Sequence, residues 1–356
     1  MRLLRLANTM NATSAPYNQF SLGFKGTIVQ TFCSLFKPDI LSDKDINGFH
    51  GDGSIFKMFK LIKELVKKNE YDVVHIHSGL TGIIFIIAIF PIRISLLKKT
   101  VFTLHNSWNV LKLRNQFLNF IVMLASNKVC TCGNSSRDSL PKIINYFVGK
   151  KTKAIVNGFD YQRIDGIELK AENKRHFKKS SEVKIVYIGA LNNKKNQIAL
   201  LKSVKLINMS LEIIFLGDGA NRNVLVNYSK NISSSVKINF KGIVSRDIAI
   251  EHMLEADVCV SLSKGEGLPI AVLEAMYAGC FMILSIIKPH KEVSPPAKRC
   301  LFVNSSSEDE IINALSFVNN NIENIRANRK HSKEYAKRNF SATKMLFEYK
   351  KVYSAL

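Results

Sequence analysis

Residues 261–284 read SLSKGEGLPIAVLEAMYAGCFMIL, and the order of chemistries in this stretch decides the fold. Residues 256–262, ADVCVSL, are apolar and β-rich and read as a buried strand. Gly265 and Gly267 then flank Glu266 in a loop, and Leu268-Pro269 sets the start of an apolar helix, because proline is favoured in a first helical turn. Strand, glycine loop and helix N-terminus in that order make a ready site for a phosphate, since the first backbone N–H groups of a helix are unpaired and carry its positive end. Glu274 falls one to two turns inside the helix, near enough to bond sugar or ribose hydroxyls without facing the phosphates. The bland alternative is a surface helix with two solvated glutamates. The position of the pair after a buried strand favours the outline of a nucleotide-sugar site.

Working outward, the 356 residues are enough for two domains with a core each, and 46% hydrophobic content argues for a folded chain. Cys33, Cys130, Cys132, Cys259, Cys280 and Cys300 lie scattered in apolar segments and read as reduced, buried thiols of a cytoplasmic protein. The opening residues 1–6 are too short an apolar run for a signal peptide. Residues 79–92, GLTGIIFIIAIFPI, are apolar but fall short of the roughly twenty residues that a spanning helix needs. They read as a buried helix, with a helix that dips into a membrane surface left open. Lys plus Arg exceed Asp plus Glu by 23, and residues 1–160 hold +12 of that excess. Such a surplus draws anionic partners. No helix-turn-helix, zinc finger or aromatic-basic RNA platform is evident, so nucleic acid is not expected. An anionic bilayer fits better, at about 1 kcal/mol per basic side chain near its surface; the plain alternative is a lysine-rich coat.

Both halves of the chain alternate strands and helices, which implies parallel sheets of an α/β fold. Strands are expected at residues 2–7, 71–77, 100–104, 128–132 and from 154, with helices at 54–68, 80–90, 113–125 and 135–147 between them. The polar stretch 165–181 reads as a linker. The pattern restarts with VKIVYIG at 183–189, then a helix over 196–207, strands at 211–216 and 236–240, a helix over 246–254 and the opening motif. The tail from 322 to 356 reads as helical.

In register, Ser263, Glu266, Gly267, Glu274, Ala275, Met276, Ala278 and Gly279 resemble the Glu-x7-Glu motif of the retaining glycosyltransferases with two Rossmann domains, the large family 4. Other motifs agree along nearly the whole chain. Residues 72–77, DVVHIH, resemble the family's D-x-V-H-x-H strand, in which His75 and His77 read as structural. Thr103-Leu104-His105 resembles its T-x-H, which places His105 near the donor sugar at the domain cleft; His105 also follows a strand at its C-terminal end, where open parallel sheets bind ligands. Residues 157–160, NGFD, resemble the turn that closes the first domain. Residues 189–197, GALNNKKNQ, resemble G-R-L-x-x-x-K-N, with Lys195 as the aligned cation, Lys194 as the alternative, and Ala190 where the family has arginine. A leaving nucleoside diphosphate gains negative charge, so a cation is needed there. Gly217 and Gly219 follow a strand and let backbone approach a nucleotide. The first strand–helix loop, residues 8–18, lacks the relatives' glycine pair; Asn8, Ser14 and Asn18 are its acceptor-side candidates. The only D-x-D of the chain, Asp43-Lys44-Asp45, lies among polar loop residues, so neither a metal nor another cofactor is expected.

The resemblance implies the GT-B architecture: two Rossmann-like domains facing across a cleft, with a C-terminal helix crossing back to the first. Residues 1–162 would form the acceptor-side domain together with 336–356, residues 163–181 the linker, and 182–335 the nucleotide-sugar domain. The implied activity is retaining, metal-independent transfer of a hexose-type sugar from a UDP- or GDP-sugar to a glycan or lipid-linked acceptor. It would serve bacterial surface polysaccharide synthesis (O-antigen, capsule or lipopolysaccharide) at the inner face of the cell membrane. Glu266, His105 and Lys195 are then the candidate catalytic residues, and Glu274, Gly267, Leu268, Pro269, Ile270, Gly217, Gly219 and Lys194 the donor-binding ones. A nucleotide-sugar epimerase would use the same donor with no acceptor. A non-catalytic sugar-nucleotide-binding subunit is the reading that Ala190 favours.

Overall fold

The computed structural model describes residues 1–10, 20, 22–38, 46–172, 182–295 and 299–356. They fall into two units, one made of Met1–Gly158 with Ala342–Leu356 and the other of Phe159–Ser341.

The first unit holds β1 (Arg2–Ala7), β2 (Val29–Ser34), β3 (Ile46–His50), β4 (Val73–Ile76), β5 (Thr100–Leu104), β6 (Lys128–Thr131) and β7 (Thr152–Ala154). These strands form one parallel sheet in the order β3-β2-β1-β4-β5-β6-β7. The period-2 geometry of β1 sends alternate side chains to opposite faces. Leu4 and Leu6 join a core with the helices Ile55–Lys68, Gly79–Ile89, Leu113–Ala125 and Lys142–Val148. Leu3, with Val73, Val101 and Cys130, joins another with Phe20, Phe24 and the last helix, Ala342–Ser354. Both faces of the sheet are therefore covered, which is why the central strands β1, β4 and β5 carry apolar side chains toward both sides.

The second unit holds β8 (Val183–Ile188), β9 (Leu211–Leu216), β10 (Val236–Phe240), β11 (Val258–Ser261), β12 (Phe281–Ser285) and β13 (Cys300–Val303). They form a parallel sheet in the order β10-β9-β8-β11-β12-β13. Each sheet reverses its winding once, between β1 and β4 and between β8 and β11, and ligands of open α/β sheets bind outside the strand C-termini at such a point. Both halves are doubly wound, the architecture the alternation implied.

Two segments differ from the sequence reading. Residues 163–172, expected in a linker, lie in the helix Tyr161–Glu172 of the second unit. Its Ile164 and Ile167 are buried, Lys333 pairs with Asp165 at 3.3 Å and with Glu168, and the Tyr277 hydroxyl donates to Asp165 at 2.9 Å. Asp165 and Glu168, two of the charges that suggested a solvated stretch, are spent on these pairs. Residues 336–341, expected with the returning helix, close the helix Lys330–Phe340 of the second unit, and Ser341 breaks the chain before Ala342. Residues 79–92 form the helix Gly79–Ile89, buried over most of its length, and its exit, and no helix among the described residues is long and apolar enough to cross a membrane.

Candidate functional site

In the second unit, β8 and β11 are neighbours where the winding reverses, so the loops that leave them run side by side. Tyr187 ties these loops together: its buried hydroxyl accepts from the Leu262 N–H at 2.8 Å and donates to the Lys195 carbonyl. The Lys264 N–H donates to the Lys194 carbonyl at 2.9 Å, which fixes the same register. Across this join the Lys195 Nζ donates to Glu266 Oε1 at 2.6 Å. Both line a recess of about 120 Å³ with Leu268, Pro269 and Ile270. The helix Ile270–Tyr277 starts at its wall, and Pro269 gives it no side-chain cap. An uncapped helix start beside a lysine is an anion site in both charge and hydrogen-bond donors. Burial raises the Glu266 carboxyl, but the Lys195 charge and hydrogen bond, helped by Ser263 and Lys194, outweigh it and hold the group below the ordinary carboxylate value. Glu266 is thus ionised at neutral pH, a pure acceptor for hydroxyl groups.

Glu274 lies one turn further along the helix, 4% exposed, and accepts from Arg246 rather than lining the recess. Burial pushes its carboxyl up, and Arg246 and Arg163 offset only part of that. Arg246 heads the helix Arg246–Glu255, whose first turn is capped by Ser245. Sequence reasoning missed Arg246, because nothing local marks a partner 28 residues upstream. It missed His290 too. That buried ring sits 3.3 Å from Ser261 Oγ and 3.0 Å from Ser285 Oγ, and Ser285 in turn donates to the Ser263 carbonyl, so His290 braces the Glu266 loop from below. Burial lowers His290 to about 4, so it braces as a neutral ring.

Gly217 and Gly219 serve backbone packing. Gly217 has φ +132°, and a Cβ there would meet the Gly189 carbonyl oxygen at 2.3 Å. A Cβ on Gly219 would lie 2.5 Å from the Leu191 carbonyl oxygen. These glycines let the β9 loop press on the β8 loop that carries Lys194 and Lys195. Ala190 is exposed and brings no charge.

In the first unit, His105 stands at the C-terminal end of β5 and heads a chain of buried polar groups. Arg5 is fully buried on β1; its Nε donates to Gln30 at 3.1 Å, and its Nη1 lies 3.1 Å from His75 Nδ1 and 3.4 Å from His77 Nε2. A guanidinium only donates, so both of these ring nitrogens must accept. His75 then carries its proton on Nε2 and donates to Thr103 Oγ1 at 2.7 Å, with the Tyr353 hydroxyl 2.6 Å from its Nδ1. His77 carries its proton on Nδ1 and donates to His105 Nε2 at 2.9 Å. His105 is left with its proton on Nδ1, a buried donor with no partner among the described residues. Burial lowers all three rings, His105 to about 4 and the other two well below the ordinary value with help from Arg5 and one another, so the chain is neutral apart from Arg5. His75 and His77, read as structural, are buried in this chain and set the polarity of His105. At the neighbouring strand ends, Ser78 Oγ donates to Asn8 Oδ1 at 2.7 Å. Ser14, Asn18 and the Asp43-Lys44-Asp45 triplet lie outside the described residues. No group of three or more His, Cys, Asp or Glu that could hold a metal ion is gathered among the described residues.

Comparison with known proteins bears on this geometry. Residues 170–339 match the family model described as glycosyl transferases group 1. The capsular polysaccharide biosynthesis glycosyltransferase CapH of Staphylococcus aureus is 30% identical over 267 residues, 71% of this chain and 69% of that protein. The UDP-Gal:alpha-D-GlcNAc-diphosphoundecaprenol alpha-1,3-galactosyltransferase of Escherichia coli is 27% identical over 278 residues, 74% of this chain and 69% of that protein. Among solved structures, Anabaena Alr3699/HepE in complex with UDP and glucose superposes over all of both chains with a TM-score of 0.78 at 15% identity. Sucrose-phosphate synthase of Thermosynechococcus elongatus does so over all of this chain and 99% of that one, with a TM-score of 0.75 at 14% identity. The two structures share the fold of this chain.

Proposed function

The chain belongs to the glycosyl transferases group 1, and from that premise we propose that this glycosyltransferase moves a hexose-type sugar from a UDP- or GDP-sugar to a glycan or lipid-linked acceptor in bacterial surface polysaccharide synthesis. The observation that carries the donor reading is the Lys195–Glu266 pair, 2.6 Å apart, beside the uncapped start of the helix Ile270–Tyr277. In this reading the diphosphate lies on the helix start, with Gly267, Leu268, Pro269 and Ile270 around it and Lys194 or Lys195 neutralising the charge that grows as it leaves. Glu266 accepts from a sugar hydroxyl, and Glu274, freed from part of its bond to Arg246, accepts from the ribose. His105 presents its Nδ1–H to a ligand oxygen, and Asn8 belongs to the acceptor side.

The proposed chemistry retains configuration. The acceptor oxygen attacks the anomeric carbon on the face from which the diphosphate departs, the glycosidic bond to the diphosphate breaks, and a departing phosphate oxygen takes the acceptor's proton. Lys195 and the helix start supply the positive charge, so no metal or other cofactor is needed. The acceptor is presented at the inner face of an anionic cell membrane, which is consistent with the surplus of 23 basic residues.

The test is a thermal-shift screen against UDP-, GDP-, ADP- and CMP-sugars, with and without EDTA. A shift with one uridine or guanosine sugar, undiminished by EDTA and lost in Glu266→Gln, is the expected result. No shift with any donor would overturn the donor reading, and a shift that needs added manganese would overturn metal independence. Ala190 favours a second reading, a subunit that binds donor without turning it over; binding with no transfer to lipid-linked or glycan acceptors would select it.

A further inference from the structure

The helices that cover one face of the first sheet turn apolar side chains outward as well as inward. On Leu113–Ala125, Leu113, Phe117 and Leu124 are exposed, Phe117 at 64%, while Val122 and Met123 are buried in the core. On Lys142–Val148, Ile143, Tyr146 and Phe147 are exposed, Tyr146 at 82%, while Ile144 and Val148 are buried. Residues 113, 117 and 124 are four and seven apart, and residues 146 and 147 lie three and four after 143, so each set forms a stripe on one face of its helix. The stripes adjoin: the Phe120 and Phe147 rings meet edge to face with centroids 6.1 Å apart. Next to them, Gly79–Ile89 packs on Leu113–Ala125 at Gly82 and Val122 and exposes Ile87 and, at its end, Phe90.

The charge of the same segment is one-sided. Residues 73–159 contain eleven Lys and Arg and a single acidic residue, Asp138. Lys112, Arg114 and Lys142 are exposed at the starts of the two striped helices. At their C-terminal ends a recess of about 240 Å³ is edged by Lys128, Lys150, Lys151, Lys153 and Lys351. Lys151 reaches the Leu124 and Ser126 carbonyls at 2.7 Å, and Glu348 neutralises part of Lys153 and Lys351.

A contiguous apolar patch rimmed by polar groups marks an interaction surface, and here the charge identifies the partner. A second copy of the chain would bring the same positive field against this face. An anionic bilayer takes the aromatic side chains into its headgroup boundary and the lysines onto its phosphates. We propose that the face formed by Leu113–Ala125 and Lys142–Val148 docks the first unit on an anionic lipid surface. The purpose of this docking rests on the lipid-linked acceptor proposed above, but its physics does not.

The test is sedimentation of the full chain with vesicles of phosphatidylcholine alone and mixed with phosphatidylglycerol, with no sugar donor present. Binding is expected only to the mixed vesicles and is lost at high salt, where exposed charges are screened. The variant with Lys112→Ala and Lys142→Ala should bind about 25-fold more weakly, at about fivefold per basic side chain. The variant with Phe117→Ser and Tyr146→Ser should lose about tenfold or more. Both variants change exposed side chains, so circular dichroism and melting temperature should match the parent. Equal binding to both vesicles, or variants that bind like the parent, would overturn the proposal. A patch-dependent dimer in sedimentation velocity with no vesicle binding would overturn it in favour of a second copy. A protein that binds vesicles yet gives no thermal shift with any donor would refute the donor reading and leave the docking face standing.

Discussion

The chain of neutral histidines on Arg5 makes the stability of the first unit depend on pH in a way that can be calculated. Each ring titrates near 6.5 in the unfolded chain and lower when folded, His105 at about 4. Above pH 6.5 neither state is protonated and nothing is at stake. Between 6.5 and 4 only the unfolded chain takes protons, so stability falls as pH falls. Going from pH 7.5 to 5.5 costs on the order of 1 kcal/mol for each ring that stays neutral when folded, or a few kcal/mol for the three together. Carboxylates stay ionised in both states over this range and add little. The only tryptophan, Trp108, is buried in the first unit, so its fluorescence during urea unfolding reads that unit alone. With a slope of about 2 kcal/mol per molar urea, the midpoint should drop by about 2 M. A midpoint that moves by less than about 0.5 M would refute the reasoning, since the slope could not hide three protons. Long-range proton–nitrogen correlation spectra of histidine-labelled protein give an independent check. At pH 7.5 His77 and His105 should carry the Nδ1 proton and His75 the Nε2 proton, and an imidazolium at any of the three would refute the chain.

Two perturbations of the second unit follow from its loops. Lys195→Met leaves Glu266 buried beside an apolar chain, which should cost about 3 kcal/mol and lower the melting temperature by about 9 °C. Adding Glu266→Gln should recover most of that loss, and a double variant as unstable as the single one would show that the pair is not coupled. Gly217→Ala forces a Cβ to within 2.3 Å of the Gly189 carbonyl oxygen at φ +132°. It should cost about 3 kcal/mol by thermal unfolding, and parent-like stability would refute the close approach of the two loops.

The legible part of the chain is the part whose signal is short in range. The Glu266 loop, the apolar runs of β1, β4, β5, β8, β9 and β11, and the helices between them each declare themselves within about ten residues. Doubly wound order follows because parallel strands need crossovers. β2 and β3 were not read, since Val29 and Phe49 are exposed and Gly48 interrupts an edge strand, so neither shows a clean apolar run. Residues 163–172 read as a linker for the opposite reason: Asp165 and Glu168 are satisfied by Lys333 and Tyr277, more than a hundred residues away in sequence.

Long-range partnership is what periodicity cannot carry, and in this protein it decides the chemistry of each residue that matters. Glu266 and Glu274 look alike in sequence, yet Lys195 holds one below the ordinary carboxylate value while burial, only partly offset by Arg246, raises the other. The same limit explains the outward stripes. Leu113–Ala125 carries apolar residues on more than one face, and a pattern-based reading would turn them all toward the core. The sheet covers only the side that bears Val122 and Met123. Leu113, Phe117 and Leu124 are left exposed on the far side, where they form the apolar part of the face proposed to meet a lipid surface.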